Sequence, residues 1–248
     1  MKNEHAGKVA FITGGNRGIG LETARELGKE GITVVIGSRD LSKGEEAARQ
    51  LKSEGAQATA IHFDADVPST HAGVYEYLDK HFGKLDILVN NAGVLKENLM
   101  GNNDSSSVSP EVLKETFNTN FFSVVSLTQR LLPLIRKSPA GRIVNVSSIV
   151  GSLNLQGMPG SPIAPAKALA YNASKTALNA FTVHLADELK GTGIKVNSAH
   201  PGWVKTELGG RGAPMEVAGS GKTTAELALL GETGRSGGFV HLGETLPW

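Results

Sequence analysis

Short apolar runs alternate along this chain with amphipathic stretches. The apolar runs are rich in β-branched residues, which predicts buried strands, and they cover residues 8–13, 33–38, 58–65, 85–90, 141–147 and 194–199, with 236–242 as the candidate for a last strand. Between them, apolar residues three and four positions apart predict helices at residues 21–31, 41–55, 69–83, 109–137 and 171–193.

This alternation predicts an α/β fold in which helices cover both faces of a parallel sheet. No linker, repeat or composition break divides the chain, so we expect a single doubly wound, Rossmann-type domain over residues 1–248 with about seven strands. Residues 94–108 and 151–170 break the alternation; the second is an expected insertion loop, and residues 205–220 are the expected substrate loop. We also expect Pro133 to kink the longest helix near its end.

Composition narrows the class of protein. The net charge of +1 argues against a nucleic-acid or membrane-surface partner, and the lack of cysteine excludes disulfides and thiolate chemistry. The N-terminus lacks the apolar core of a signal peptide, and no apolar run approaches the ~20 residues of a membrane span. The seven histidines lack metal-ligand spacing. We therefore expect a cytoplasmic protein without a metal site.

The first strand runs into the first helix through TGGNRGIG, residues 13–20. Glycines at such a junction leave backbone N–H groups and the positive end of a helix dipole free to bind a pyrophosphate. A plain tight turn is the alternative for an isolated glycine cluster, but this cluster lies directly between a strand and a helix. The spacing is G-x-x-x-G-x-G rather than the commoner G-x-G-x-x-G.

T-G-x-x-x-G-I-G resembles the glycine motif of the short-chain dehydrogenase/reductase family, and further motifs follow in the family's order. They are NNAG at residues 90–93, NTNFF at 118–122, VNVSS at 144–148, YNASK at 171–175, and Pro201-Gly202 with Thr206 beyond. The segments VNSAHPGWVKTELGG and SGGFVHLGETLPW resemble the carbonyl reductases of this family. The resemblance implies reduction of aldehydes or ketones with NADPH.

Tyr171 and Lys175 stand four residues apart on a predicted helix and therefore share one face. An ammonium group near a phenol stabilises the phenolate, so we expect Lys175 to lower the pKa of Tyr171 below its usual ~10. An amphipathic helix with a solvated lysine is the alternative. The resemblance implies that Tyr171 protonates the carbonyl oxygen, that Lys175 holds the nicotinamide ribose, and that Ser148 orients the substrate.

Two further choices remain open in the sequence. Asn120 resembles the family's helix asparagine, which marks a helix distortion and supports a proton relay, although Asn118 competes for the position. Ser147 is expected to point to the opposite face from Ser148. The predicted catalytic residues are Asn120, Ser148, Tyr171 and Lys175.

The end of the second strand indicates which dinucleotide binds. Gly37 and Ser38 stand where an acid would bind the adenosine ribose, and Arg39 follows them, with Arg17 in the glycine turn. Two guanidinium groups suit a 2′-phosphate, so we predict NADP(H); surface arginines are the alternative. Asp40 is expected to cap the next helix. The predicted cofactor-binding residues are Gly14, Asn16, Arg17, Gly18, Ile19, Gly20, Arg39, Asp64, Asn91, Ala92, Gly93, Tyr171, Lys175, Pro201, Gly202, Val204 and Thr206.

The sequence therefore predicts an oxidoreductase that transfers a hydride between NADP(H) and a small carbonyl or alcohol substrate. An alcohol or steroid dehydrogenase working in oxidation and a non-catalytic NADP-binding regulator are the alternatives. GSGKTT at residues 219–224 resembles a phosphate-binding loop, but Glu216 occupies the place of its first glycine. The insertion at 151–170 can cover a helix face that relatives use in tetramers, which leaves monomer and homo-oligomer open.

Overall fold

The computed structural model describes residues 5–101 and 103–248. Whatever was predicted for residues 1–4 and 102 lies outside the described residues. One sheet of eight strands runs in the order β3-β2-β1-β4-β5-β6-β7-β8. The strands are β1 Val9–Thr13, β2 Thr33–Ser38, β3 Ala58–His62, β4 Ile87–Asn90, β5 Arg142–Val146, β6 Lys195–Ala199, β7 Phe239–His241 and β8 Glu244–Thr245.

Helices cover both faces of this sheet. They are α1 Gly18–Lys29, α2 Leu41–Ser53, α3 Pro68–Phe82, α4 Pro110–Phe117, α5 Ser123–Ile135, α6 Leu153–Gly157, α7 Leu169–Glu188 and α8 Lys222–Ala228. Leu27, Leu51 and Leu227 bring α1, α2 and α8 into one apolar cluster. Leu78, Leu131 and Leu185 bring α3, α5 and α7 into the other. The predicted doubly wound α/β class is confirmed.

The strand count differs slightly from the expected seven. The first seven strands pair in parallel, whereas β8 pairs antiparallel with β7, placing Val240 opposite Thr245. The chain reverses between these strands at Gly243, whose φ is +83°. Glycine adopts this angle without the steric clash that a Cβ would cause. Two-residue strands carry too little periodicity to be predicted from sequence.

The predicted helix over residues 109–137 is three segments. A π-helical turn, Asn118–Phe122, lies between α4 and α5. Pro133 lies inside α5 two residues before its end, and its kink stays a prediction. The seven-residue helix α8 was not predicted, because the glycines at 219 and 221 directly before it indicate a turn. In the described part of the chain, no helix is long and apolar enough to cross a membrane.

Candidate active site

The carboxyl ends of β1, β4, β5 and β6 meet at one edge of the sheet, and a cavity of about 230 Å³ lies there. In a parallel sheet this is the edge at which ligands bind. The insertion loop contributes Pro162 and Ile163 to its wall, and the 94–108 loop contributes Leu99 and Met100. Trp203 also lines it, with its indole N–H donating to Gly209 O at 2.8 Å. The walls away from the sheet are therefore apolar.

Tyr171, Ser148 and Lys175 form the polar wall of the cavity. The first turns of α7 place Lys175 Nζ 5.6 Å from the centre of the Tyr171 ring, and both side chains are buried. The phenol of Tyr171 is hydrogen-bonded to the side chain of Ser148. Ser147 is also buried, and its hydroxyl lies 3.5 Å from the carbonyl oxygen of Lys175. Both serines therefore lie near α7, and Ser148 is the one bonded to the phenol.

The expected lowering of the Tyr171 pKa is wrong in this structure. Burial raises the pKa of Tyr171 to about 12, and the hydrogen bond from Ser148 opposes this only in part. Burial also lowers the pKa of Lys175 from 10.5 to about 8. Loss of water disfavours the charged form of each group, and this cost exceeds the attraction between ammonium and phenolate.

Lys175 is held by the strand beneath it. Its Nζ donates to the carbonyl oxygen of Val146 at 2.9 Å, at the end of β5. A Cβ added to Gly93 would lie 3.6 Å from this Nζ and 3.3 Å from Asn120 Oδ1. Gly93 therefore lets the NNAG turn lie close against the lysine and the asparagine.

Asn120 is fully buried in the π-helical turn. Its Oδ1 accepts from Val94 N at 2.8 Å, and its Nδ2 donates to Val94 O at 2.9 Å and to Ser174 Oγ at 3.0 Å. Ser174 Oγ in turn donates to Tyr171 O at 2.7 Å. Asn118 instead faces outward and donates to Asp66 Oδ1 at 2.9 Å. The structure thus brings Asn120, and not Asn118, against the helix that carries Tyr171.

The glycine turn packs tightly against the NNAG segment. Gly14 and Gly18 have φ of +62° and +55°, which favours glycine. A Cβ on Gly20 would lie 2.5 Å from Asn91 Nδ2, and Asn91 Nδ2 itself donates to Thr13 O at 2.8 Å. No side chain caps the start of α1, and Asn16 is half-buried in the turn. The turn can therefore bind a pyrophosphate: the backbone N–H groups at the start of α1 are free, and glycines leave room for the phosphates to approach them.

The two predicted arginines are both exposed but differ in their contacts. Arg17 forms an ion pair with Glu207, whereas Arg39 has no hydrogen bond or ion pair to any of the described residues. Gly37 lies two residues before Arg39, and a Cβ on it would lie 2.9 Å from Phe11 Cζ, so an acid does not fit there without displacing that ring. Asp40 caps α2 as predicted, accepting from Lys43 N at 3.3 Å.

The remaining predicted cofactor residues lie around the same edge. Thr206 lies against the glycine turn: a Cβ on Gly18 would be 3.3 Å from Thr206 Cγ2. Asp64 follows β3, and its Oδ1 accepts from Asp66 N at 3.0 Å. Ala92 N donates to Thr13 Oγ1 at 2.9 Å. Those that line the cavity itself are Ile19, Asn91, Gly93, Pro201, Gly202, Val204 and Thr206.

Two residues at this site are not among the predicted catalytic or cofactor-binding residues. Glu97 Oε2 accepts from the backbone N–H of Tyr171 at 3.0 Å, across 74 residues of chain. His200 is 7% exposed and lines the cavity. Its position before Pro201 was the only signal for it, and no local pattern marks Glu97, because the contact depends on how a long loop folds back.

The chain is similar in sequence and in structure to known reductases. The sequence model for short chain dehydrogenases matches residues 8–216. A carbonyl reductase [NADPH] of Mus musculus is 31% identical over 278 residues, covering 97% of this chain and 98% of that protein. Salutaridine reductase of Papaver somniferum is 30% identical over 297 residues, covering 96% and 95%. The solved structure of an NADPH-bound carbonyl reductase from chicken fatty liver superposes with a TM-score of 0.84 at 25% identity, covering 98% of this chain and 100% of that one.

Proposed function

Because the chain belongs to the short-chain dehydrogenase/reductase family, we propose that it is an NADP(H)-dependent carbonyl reductase acting on small aldehydes or ketones. The observation that carries this proposal is the meeting of Ser148, Tyr171 and Lys175 on one wall of a cavity that also reaches the glycine turn. The names of the mouse and chicken relatives, both reductases that use NADPH, support the same chemistry.

The residues present fit an NADP(H) molecule. The uncapped start of α1 and the glycines at 14, 18 and 20 would hold its pyrophosphate. Arg39, exposed and without a partner among the described residues, would bind the 2′-phosphate, and Arg17 would do so on leaving Glu207. Gly37 and Ser38 present no carboxylate to repel that phosphate. Thr206 and the Pro201–Gly202 turn would contact the nicotinamide end.

The cofactor, when bound, supplies the hydride. The chain's own residues supply position and a proton. Ser148 would hydrogen-bond the carbonyl oxygen and stabilise the negative charge that develops on it. Tyr171, with a pKa raised by burial to about 12, holds its proton at neutral pH and would donate it to that oxygen. Lys175, a cation below about pH 8, would stabilise the phenolate that results.

Near neutral pH, Tyr171 is in the protonated form from which carbonyl reduction starts. Oxidation of an alcohol requires Tyr171 as the phenolate, and burial makes that form costly. The non-catalytic regulator is disfavoured because Asn120, Ser148, Tyr171 and Lys175 are all present and three of them line one cavity. The cytoplasmic location stays a prediction.

An assay of NADPH consumption with aldehydes, diketones and cyclic ketones tests this proposal. We expect turnover with at least one class, a faster rate with NADPH than with NADH, and a loss of about 10²–10⁴-fold in kcat for Tyr171→Phe. Arg39→Ala should narrow the ratio of NADPH to NADH turnover without changing kcat for NADH. Tight NADPH binding with no turnover of any carbonyl would instead identify a regulator.

A further inference from the structure

His200 lines the cavity together with the predicted catalytic residues Ser148, Tyr171 and Lys175. It follows β6, is 7% exposed, and lies beside the peptide that joins Ser148 to Ile149. The role assigned to this side chain rests on the proposed carbonyl reduction, in which Ser148 holds the reacting oxygen. The imidazole is therefore close to the place where the substrate carbonyl would bind.

The hydrogen bonds of His200 fix its tautomer. Its Nδ1 lies 3.3 Å from the backbone N–H of Ile149, which is a donor only, so Nδ1 accepts and carries no proton. Burial, with a smaller contribution from the nearby His241, lowers the pKa of His200 to about 3. A neutral imidazole with a bare Nδ1 carries its proton on Nε2. His200 is thus a neutral hydrogen-bond donor through Nε2.

The neighbouring ring holds the imidazole in this orientation. The His241 ring packs against it with 4.8 Å between centroids, and His241 Nδ1 donates to His200 O at 2.8 Å. The Nε2 of His200 makes no hydrogen bond to the described residues. It is not one of the fully buried unpaired nitrogens, so this atom remains accessible from the cavity. An unpaired donor that remains accessible, on a residue that lines the cavity, is available to a ligand in that cavity.

The rest of the lining restricts the kind of group that Nε2–H can meet. Lys175 is the one charged side chain among the described lining residues, and apolar side chains such as those of Leu99 and Ile163 form much of the remaining wall. A carboxylate or phosphate on the substrate would find no second cation there, and an amine would find no acid. A neutral oxygen acceptor is the group that a neutral N–H donor binds at least cost.

We propose that His200 is a specificity-determining residue, whose Nε2–H donates a hydrogen bond to a second neutral oxygen next to the reacting carbonyl. The site then prefers ketones that carry a neighbouring carbonyl, hydroxyl or ether oxygen over ketones of the same size without one. The preference arises because a substrate lacking that oxygen leaves a buried donor unpaired when it displaces water.

A pair of ketones of equal size tests the proposal: 2-methoxycyclohexanone, which carries the second oxygen, and 2-ethylcyclohexanone, which does not. The readout is the ratio of their kcat/KM values with NADPH. His200→Phe keeps a ring but removes the donor, and it should lower this ratio about tenfold, the equivalent of one hydrogen bond. His200→Gln restores an N–H near the position of Nε2 and should recover most of the ratio. His241→Phe, which keeps the packed ring, is the matched control and should leave the ratio near the wild-type value.

Two results would overturn the proposal. One is a ratio in His200→Phe that stays at the wild-type value, whether kcat/KM is unchanged or falls equally for both ketones; an equal fall indicates a structural role. The other is a weaker Kd for NADPH alone in that variant, measured by fluorescence titration, which would place the imidazole on the cofactor.

Failure of the proposed function gives a different signature. If the wild-type protein reduces neither ketone nor any other carbonyl, calorimetric binding of the two ketones to the NADP-loaded protein still tests His200. We then expect the methoxy ketone to bind more tightly than the ethyl ketone in the wild type, and equal binding in His200→Phe. Equal binding in the wild type would overturn the assignment.

Discussion

Lys175 Nζ donates a hydrogen bond to the carbonyl oxygen of Val146, 2.9 Å away, at the end of β5. The strand that delivers Ser148 to the cavity therefore also anchors the ammonium of α7. This neutral acceptor does little to offset the burial of a cation, and the pKa of Lys175 lies at about 8 instead of 10.5. Two consequences can be measured, one in the rate and one in the stability.

The rate of carbonyl reduction should fall as the pH rises through about 8. Lys175 is a cation below that pH and neutral above it, whereas Tyr171 keeps its proton up to about pH 12. Because stabilisation of the phenolate needs the cation, kcat/KM should be level below about pH 8 and decline above it. The measurement is kcat/KM for one ketone from about pH 6 to pH 10 at constant ionic strength.

Lys175→Arg is the control for that profile. A guanidinium does not lose its proton in this range, so the variant should be slower overall but without the decline. A rate that rises through pH 8 would contradict the assignment, because it would mean that a deprotonated Tyr171 limits the reaction.

Replacing Lys175 by methionine should stabilise the fold while abolishing reduction. The folded-state pKa of about 8 lies below the ordinary 10.5, so the folded protein binds fewer protons than the unfolded chain between these values. Stability thus rises with pH across that interval, and the cost of the buried cation is fully present below pH 8. That cost is about 3 kcal/mol. The variant also loses the hydrogen bond to Val146, which offsets part of this stabilisation. We therefore expect the free energy of unfolding to rise by about 1–2 kcal/mol at pH 7.

Urea unfolding at pH 7 and at about pH 10 measures this effect. The increase in the free energy of unfolding caused by Lys175→Met should be smaller at the higher pH, because the wild-type lysine is neutral there in the folded protein. A gain of equal size at both pH values would indicate that packing, and not the buried charge, is responsible.

The sequence predicted what depends on local backbone and on the order of the elements. Gly14, Gly18 and Gly20 indicate the turn in the sequence, because each occupies a position where a Cβ would clash or where the backbone φ favours glycine. Asn120 was placed correctly at a helix distortion, and the structure shows the π-helical turn there. Strand and helix alternation sufficed for the doubly wound class, since each element buries one periodic face.

What the sequence could not predict depends on burial and on distant contacts. The i, i+4 spacing of Tyr171 and Lys175 indicated a lowered pKa for the phenol. The direction of the pKa shift depends instead on how far α7 and the loops exclude water from the phenol, and this burial raises the pKa. The free Nε2 of His200 follows from a bond to Ile149, 51 residues earlier. No pattern in the 94–108 loop shows that Glu97 reaches Tyr171.

Gly20→Ala should weaken NADP(H) binding by at least tenfold and destabilise the protein by about 1–3 kcal/mol. A Cβ there would lie 2.5 Å from Asn91 Nδ2 and 2.5 Å from Gly14 O, so the glycine turn and the NNAG segment must separate. Fluorescence titration with NADPH and urea unfolding measure the two effects. Gly73→Ala in α3 is the control: a Cβ there meets nothing within 4 Å, and alanine should stabilise the helix by up to ~1 kcal/mol.

Removing the carboxylate of Glu97 should slow reduction by displacing Tyr171. The start of α7 has no side-chain cap of its own, and Glu97 Oε2 accepts from Tyr171 N at 3.0 Å. An acceptor with negative charge at a helix N-terminus contributes about 1 kcal/mol. Glu97→Ala should therefore lower kcat about five- to tenfold with little change in KM, since the phenol acts in the transition state.

Glu97→Gln keeps an acceptor oxygen without the charge, and it should recover most of kcat if position is what matters. Glu115→Ala is the control for charge in this region, because Glu115 pairs with Lys96 at the surface and such pairs contribute little. It should leave kcat and KM near their wild-type values. A change in KM alone for Glu97→Ala would place the carboxylate on the substrate instead, and no change in either constant would show that α7 keeps Tyr171 in place without this contact.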